Sequence, residues 1–450
     1  MGKSKLEIAI KDRLIEVLGD KGLKISEPKP VDIWPSFRAE HKKVQVIQSN
    51  GNKFEIFIKD YDLSKQTDVS GGIERSPKFQ LNEIVFMEVL QKNNGAIPRY
   101  FGHINYKNGN EHLVVITEKY KTDLELFLIK NSEVKSQDVK NLLLKSIDLF
   151  LINNQILDSN ISKVDASNQP RVYEYNKNEI SKDLTSYIDS ILDYYFQIKT
   201  DDPKESINET RKKERRLLNE INYTSLISLL NNNIANVLGN VDLNGRISFM
   251  DLYPSHIILN TEDANGLLKI STEQTNLFGL QSDENKIVSL IDYNKVGIAK
   301  LAVGLARLLN NQTVYNSLGN EGKQETVDSI IDYTADIYRK LYDSNPKNIA
   351  GKKIMAEDEF LQFKSQLKEE FSAASRLAVL KDIYSVIQKS MNYPELYKTW
   401  IEKRPTYKLP DFVKERFNYL VSLQDPFTRF VTLNQTVKTL LSYEQRTNLK

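Results

Sequence analysis

Five polar side chains fall along this sequence in an order that could carry out chemistry on phosphate: Lys59, Glu83, Asp251, His256 and Asp292. Phosphoryl transfer needs a cation on the phosphates, ligands for a divalent metal, and a carboxylate facing the hydroxyl that accepts the group. Lys59 lies near the end of the alternating run "FEIFIKDY", where a strand lysine can aim a compact charge at a nucleotide. Such a lysine needs an acid to hold it. Glu83 in "LNEIVFMEVL" supplies one 24 residues later, with Glu88 on another face of the same helix as the alternative. Asp251 opens the pattern D-x-x-P-x-H-I-I-L, in which a proton-accepting carboxylate is followed five positions on by His256, where a metal ligand would stand. Asp292 closes "KIVSLIDY", at the end of an apolar strand. Taken singly, each is ordinary, since a strand-end lysine is commonly a solvated edge residue. The order carries the reading.

The elements needed to position these residues are legible from periodicity. Residues 5–19 have helical spacing. "KKVQVIQSNGNKFEIFIKDY" alternates on both sides of a turn and predicts a β-hairpin over 42–61. The polar stretch 68–80 predicts a loop leading into the helix that carries Glu83. "AIPRYFGHINY" and "EHLVVITEKY", separated by "NGN", predict a second strand pair that runs through a linker into a helix. Residues 136–157 form a strong amphipathic pattern, 158–180 a polar loop, and "LTSYIDSILDYYFQI" a further helix. Short strands flank Asp251 and precede Asp292, and residues 298–450 are almost wholly helical in pattern. The chain divides into an N-terminal lobe over 1–118, a catalytic lobe over 119–310 with a charged insertion near 199–221, and a helical extension over 311–450.

Composition narrows the function classes. With 62 Lys and Arg against 60 Asp and Glu, no charge excess directs the chain to nucleic acid or an anionic membrane. The basic run "RKKERR" (211–216) is interleaved with acids and reads as a solvated helix face. The absence of cysteine removes thiol catalysis, disulfides and Cys-ligated zinc. Apolar runs such as "LAVGLARLL" are too short to span a bilayer, and "MGKSKLEIAI" has no secretory pattern. The expectation is a soluble cytoplasmic protein with no membrane partner.

The motifs "FMDLYPSHIIL", "LIDYNKVG" and "KLAVGLARLL", with "NEIVFMEVL" and "IPRYFGHI" before them, resemble the aminoglycoside phosphotransferase/choline kinase-like family of the protein-kinase-like fold. The resemblance spans residues from about 30 to about 310. It implies an α+β, bilobal protein-kinase-like fold, with a small β-rich N-lobe and a large helical C-lobe bearing extra C-terminal helices. It implies an ATP-dependent (or GTP-dependent) phosphotransferase acting on a hydroxyl of a small metabolite such as a sugar, amino alcohol or aminoglycoside. By the same resemblance Asp251 is the catalytic base, Lys59 the phosphate contact and Glu83 its partner. Asp292 and His256 would hold Mg²⁺ or Mn²⁺, and the linker after "EHLVVITEKY" would meet the base.

The sequence departs from the family in three places. Phe249 and Met250 replace the motif's His and Gly, and His256 replaces its Asn. An imidazole suits Mn²⁺ better than oxygen-seeking Mg²⁺. "WPSFRAEHKK" offers no glycine-rich phosphate loop. A second reading therefore stands beside the first: a pseudokinase that binds a nucleotide or a protein partner without turnover. A third is a helical interaction protein. Trp34 and Trp400 read as packing residues or as an aromatic wall for a sugar.

Overall fold

The computed structural model describes residues 4–31, 39–63, 77–163, 173–200, 223–239, 247–261, 288–293, 296–319, 323–345 and 354–422. Trp34, most of the loop expected over 68–80, and the "RKKERR" run lie outside them. Contacts divide the chain into two compact units. The first comprises Met1–Tyr173, Pro254–Gly297 and Asp336–Ile354, and the second Glu174–Tyr253, Ile298–Ala335 and Met355–Lys450. The units interleave in sequence.

The first unit is built on an antiparallel sheet. Its strands are β1 (Lys24–Ile25), β2 (Lys29–Pro30), β3 (Glu40–Ile47), β4 (Lys53–Asp62), β5 (Tyr100–Asn108) and β6 (Asn110–Glu118), in the order β1-β3-β4-β6-β5, with β2 also paired to β3. Alternation gives the sheet two faces. Val44, Val46, Ile56, Ile58, Val114 and Ile116 point one way and bury against Leu6, Ile10 and Leu14 of helix α1 (Lys5–Leu18). The residues between them, Phe57, Lys59, Val115 and Thr117, line the other face. The predicted hairpin thus forms in the register that sends Lys59 away from the apolar core.

Helix α1 starts where the Ser4 hydroxyl accepts the Glu7 N–H at 3.1 Å and ends at Gly19, φ 69°. Its Arg13 donates to the Phe101 carbonyl at 3.1 Å. The bulge there needs Gly102, because its φ of 102° strains any residue with a Cβ, and the Arg13 guanidinium packs where that Cβ would stand.

Helix α2 (Pro77–Lys92) follows β4 and carries Glu83, buried to 2% exposure. After β6 the chain passes through the short strand β7 (Thr122–Asp123) into α3 (Leu124–Lys130), capped by the Asp123 carboxylate accepting the Leu126 N–H at 2.8 Å. Helix α4 (Ser136–Asn160) follows. A second small antiparallel sheet joins β7 to β9 (Ile257–Leu259) and β10 (Val288–Leu290), with Ile257 opposite Leu290. Its strands deliver His256 and Asp292 to adjacent ends.

Among the described residues the second unit is mostly helical and includes the short buried strand β8 (Ile247–Phe249). Helices α5 (Lys177–Thr200), α6 (Leu301–Leu309) and α7 (Glu357–Asn392) pack together, with Tyr187 against Tyr384 at 4.8 Å and Lys300 paired to Glu370 at 2.8 Å. The wholly buried Arg416 of α8 (Asp411–Ser422) donates to the Asn310 carbonyl at 2.7 Å and to Asp382 at 3.2 Å, tying α8 to α7. Trp400 packs between Lys389, 4.1 Å from its ring centroid, and Tyr407 at 4.9 Å. Of the two roles open to Trp400, packing is the one its surroundings match. The fold is α+β, as expected, with an antiparallel sheet in one unit and helices dominating the other. Among the described residues no helix is long and apolar enough to cross a membrane.

Candidate active site

In the first unit, four of the five candidate residues come together. The Lys59 ammonium lies 2.6 Å from Glu83 Oε1 and 3.1 Å from Asp292 Oδ1. Those partners are 24 and 233 residues away in sequence. Of the two acids considered on α2, Glu83 meets Lys59, whereas Glu88 is exposed and reaches His103 at 3.5 Å. The second Glu83 oxygen accepts the Tyr61 hydroxyl at 2.6 Å. Tyr61 is two residues beyond Lys59 and so on the same face of β4; strand alternation alone could have nominated it.

Burial by itself would lower the Lys59 pKa. Asp292 and then Glu83 outweigh it and hold the ammonium well above the ordinary lysine range, so it stays charged. Burial, then the Glu83 charge, push the Tyr61 phenol well up, keeping it a neutral donor.

Asp292 occupies the left-handed region, φ 69°, which few non-glycine residues adopt and which aspartate tolerates better than most. Its neighbours hold it there. Leu290 N–H donates to the Ala96 carbonyl at 3.0 Å, and Ile291 N–H to the His256 carbonyl at 3.0 Å. On the other side, Tyr293 is fully buried and its hydroxyl meets the Asn153 amide at 2.5 Å. Asn153 in turn accepts the Ala96 N–H at 2.7 Å. Replacing Asn153 by alanine would take a buried hydrogen-bond partner from the Tyr293 hydroxyl and from the Ala96 amide. We expect a loss of roughly 2–3 kcal/mol of stability, measurable by urea unfolding.

His256 Nε2 stands 3.3 Å from Asp292 Oδ2. Two donor atoms at that separation, one imidazole nitrogen and one carboxylate oxygen, are suitably spaced to bind one divalent ion as neighbouring ligands. Among the described residues no group of three or more His, Asp or Glu side chains gathers to hold a metal. Phosphate oxygens and water would serve as further ligands. Beside Lys59 a cavity of about 20 Å³, room for one water, lies between Phe57, Val115, Met87 and Ile291.

The linker expected to meet a base has much of its backbone engaged. The N–H groups of Glu118, Lys119 and Lys121 donate to the carbonyls of Arg99, Glu55 and Leu259 at 2.8, 3.0 and 3.1 Å.

Asp251 lies in the second unit, two residues beyond β8, and is only 6% exposed. Phe249 and Met250, which replace the motif's His and Gly, are both buried. Arg307 of α6 donates to the Asp251 carboxylate at 2.5 Å and to the Met250 carbonyl at 2.6 Å. Lys381 of α7 reaches the same carboxylate oxygen at 3.2 Å. Both cations also lie over the Tyr253 ring, at 5.9 and 5.6 Å. Burial would lower the Arg307 pKa, but Asp251, together with Tyr253, Tyr175 and Tyr187 behind it, outweighs burial and holds the guanidinium firmly protonated. Sequence reasoning missed both cations. The signal for Arg307 was an arginine inside the otherwise apolar "LAVGLARLL"; Lys381 sits in a long helical pattern and left none.

His41 pairs across the ladder with Lys59. Burial, then the Lys59 charge, lower its imidazole to about 4, with Asp292 opposing. Between that value and the unfolded value of about 6.5, the unfolded chain binds a proton that the folded chain refuses. Stability is therefore full above pH 6.5 and falls as pH drops towards 4, by at most about 3 kcal/mol from this residue. Urea unfolding at pH 7 and pH 4.5 measures the loss, and His41→Phe is expected to shrink it.

A strand lysine braced by a glutamate from the following helix, on an antiparallel sheet, is the arrangement expected of a kinase-like N-lobe. No family model matches the sequence, and no curated protein does. Solved structures similar to it include the GDP and kanamycin complex of APH(2")-IIia, at 11% identity and a TM-score of 0.43, covering 88% of this chain and 96% of that one. An ethanolamine kinase from Plasmodium vivax is 13% identical with a TM-score of 0.38, covering 92% of this chain and 91% of that one. The GDP complex of aminoglycoside 2'-phosphotransferase-IIIa is 13% identical with a TM-score of 0.37, over 81% of this chain and 98% of that one.

Proposed function

We propose that this protein is a phosphotransferase that moves the terminal phosphoryl group of ATP or GTP to a hydroxyl of a small metabolite. The observation that carries the reading is the Lys59 ammonium held between Glu83 and Asp292. This is a fixed cation beside a candidate metal-binding carboxylate. Lys59 would hold the phosphates, with Glu83 and Tyr61 fixing its position. Asp292 and His256 would hold a divalent cation, whose chemistry is to neutralise charge on the phosphates. The His256 nitrogen favours Mn²⁺ over Mg²⁺. Asp251 would take the acceptor's proton as the new P–O bond forms and the bond to the leaving nucleoside diphosphate breaks.

A second reading rests on a specific observation. The Asp251 carboxylate is buried, and Arg307 and Lys381 both bind one of its oxygens. A base so neutralised is a poor proton acceptor, which suits a pseudokinase that binds a nucleotide, or a protein partner, without turnover.

Thermal shift with ATP and GTP, each alone and with Mg²⁺ or Mn²⁺, separates the readings, because a ligand that binds only the folded state raises its melting temperature. Phosphotransfer predicts a metal-dependent shift, larger with Mn²⁺, that Asp292→Ala abolishes. A shift indifferent to metal favours the pseudokinase. No shift in any condition rejects phosphotransfer and leaves only a pseudokinase that binds a protein partner.

A further inference from the structure

Directly paired residues of an antiparallel ladder project to the same side of the sheet. His41 is paired with Lys59, so its ring stands on the face that carries the candidate site. The ring packs on Phe57, centroids 5.4 Å apart, and Phe57 lines the cavity together with Lys59, Glu83 and Asp292. The His41 Nδ1 atom is buried and has no hydrogen-bond partner among the described residues. A buried nitrogen left unpaired forfeits its hydration for nothing, and native proteins keep few such atoms without a ligand or a water to explain them.

The surroundings specify the missing partner. Lys59 from β4 and Asp292 beyond β10 are the charges that act on the ring, and burial with Lys59 keeps it neutral at pH 7. A neutral imidazole has one N–H to donate. An acceptor next to the Lys59 ammonium gains most if it is anionic. We propose that His41 binds the phosphate chain of the nucleotide, donating a ring N–H to an anionic oxygen that Lys59 also holds. The assignment rests on the nucleotide reading above.

The test measures affinities for ADP, GDP, adenosine and guanosine by calorimetry on wild type, His41→Phe, His41→Asn and Lys59→Met. Melting without ligand establishes that each variant folds. His41→Phe should weaken both diphosphates about tenfold or more, the size of one hydrogen bond to a charged group, and leave the nucleosides unchanged. His41→Asn, whose amide stands where Nδ1 stood, should recover much of the loss. On the wild type, the His41 ring-nitrogen resonances should move on titration with ADP or GDP. Equal weakening of nucleosides and diphosphates would overturn the assignment. So would full diphosphate affinity in His41→Phe with static ring resonances, which would mean that a bound water fills the orphan. If Lys59→Met loses diphosphate binding while His41→Phe keeps it, only the His41 assignment fails. If the wild type binds no diphosphate, the nucleotide reading fails and takes this one with it.

Discussion

Replacing Arg307 by alanine is expected to cost about 3–5 kcal/mol of folding stability, among the largest effects of any single substitution in the second unit. Arg307 is 5% exposed and Asp251 6%, so neither charge has water to fall back on. The guanidinium donates at once to the Asp251 carboxylate and to the Met250 carbonyl. Its removal takes a charged partner from a buried carboxylate that Lys381 also reaches at 3.2 Å, and a donor from a buried carbonyl. A double-mutant cycle isolates the pair. Asp251→Asn should cost much less in the Arg307→Met background than in the wild type, because the arginine that demands a counter-charge is gone. Equal costs in the two backgrounds would show that the pair is not coupled. The same cycle bears on function. If Asp251 is the base, the wild type turns over and Asp251→Asn should abolish turnover while leaving nucleotide affinity intact, whereas a pseudokinase shows no turnover in either form.

The second large effect belongs to Lys59. Lys59→Met should lower nucleotide affinity roughly 10–100-fold, the worth of a charge-assisted contact, and reduce the nucleotide-dependent thermal shift accordingly. Without ligand, the same variant should be less stable. It leaves Glu83 buried at 2% exposure with Tyr61 as the partner described above, and an uncompensated buried carboxylate costs about 3–5 kcal/mol. Lys59→Met combined with Glu83→Gln removes both charges and should recover much of the stability without any of the affinity. Recovery of both would mean that Lys59 serves the fold alone.

The α+β class was legible because periodicity is a local property. The alternation of Phe54, Ile56 and Ile58, and the turn "SNGN" before them, predict the hairpin, and β3 and β4 form it. The same alternation determines that Lys59 and Ile58 face opposite ways, whatever the sheet packs against. The helix carrying Glu83, the paired strands after it and the helical character of the later chain were read on the same grounds. The order of Lys59, Glu83, Asp251, His256 and Asp292 nominated candidates for chemistry, but order holds no distances.

Tertiary structure decided the rest. Glu83 and Glu88 were alternatives in sequence, and the packing of α2 turns one to Lys59 and the other to His103. Asp292 reaches Lys59 across 233 residues only because the β9–β10 pairing and the Tyr293–Asn153–Ala96 contacts hold it in a left-handed conformation. Arg307 and Lys381 meet Asp251 from helices 56 and 130 residues farther along the chain. Nothing near Asp251 in the sequence foretells the charges that surround it. The physical reason is the same in each case. Strand and helix patterns depend on neighbours a few residues away, whereas the charge environment of a buried group depends on which distant segments exclude water around it.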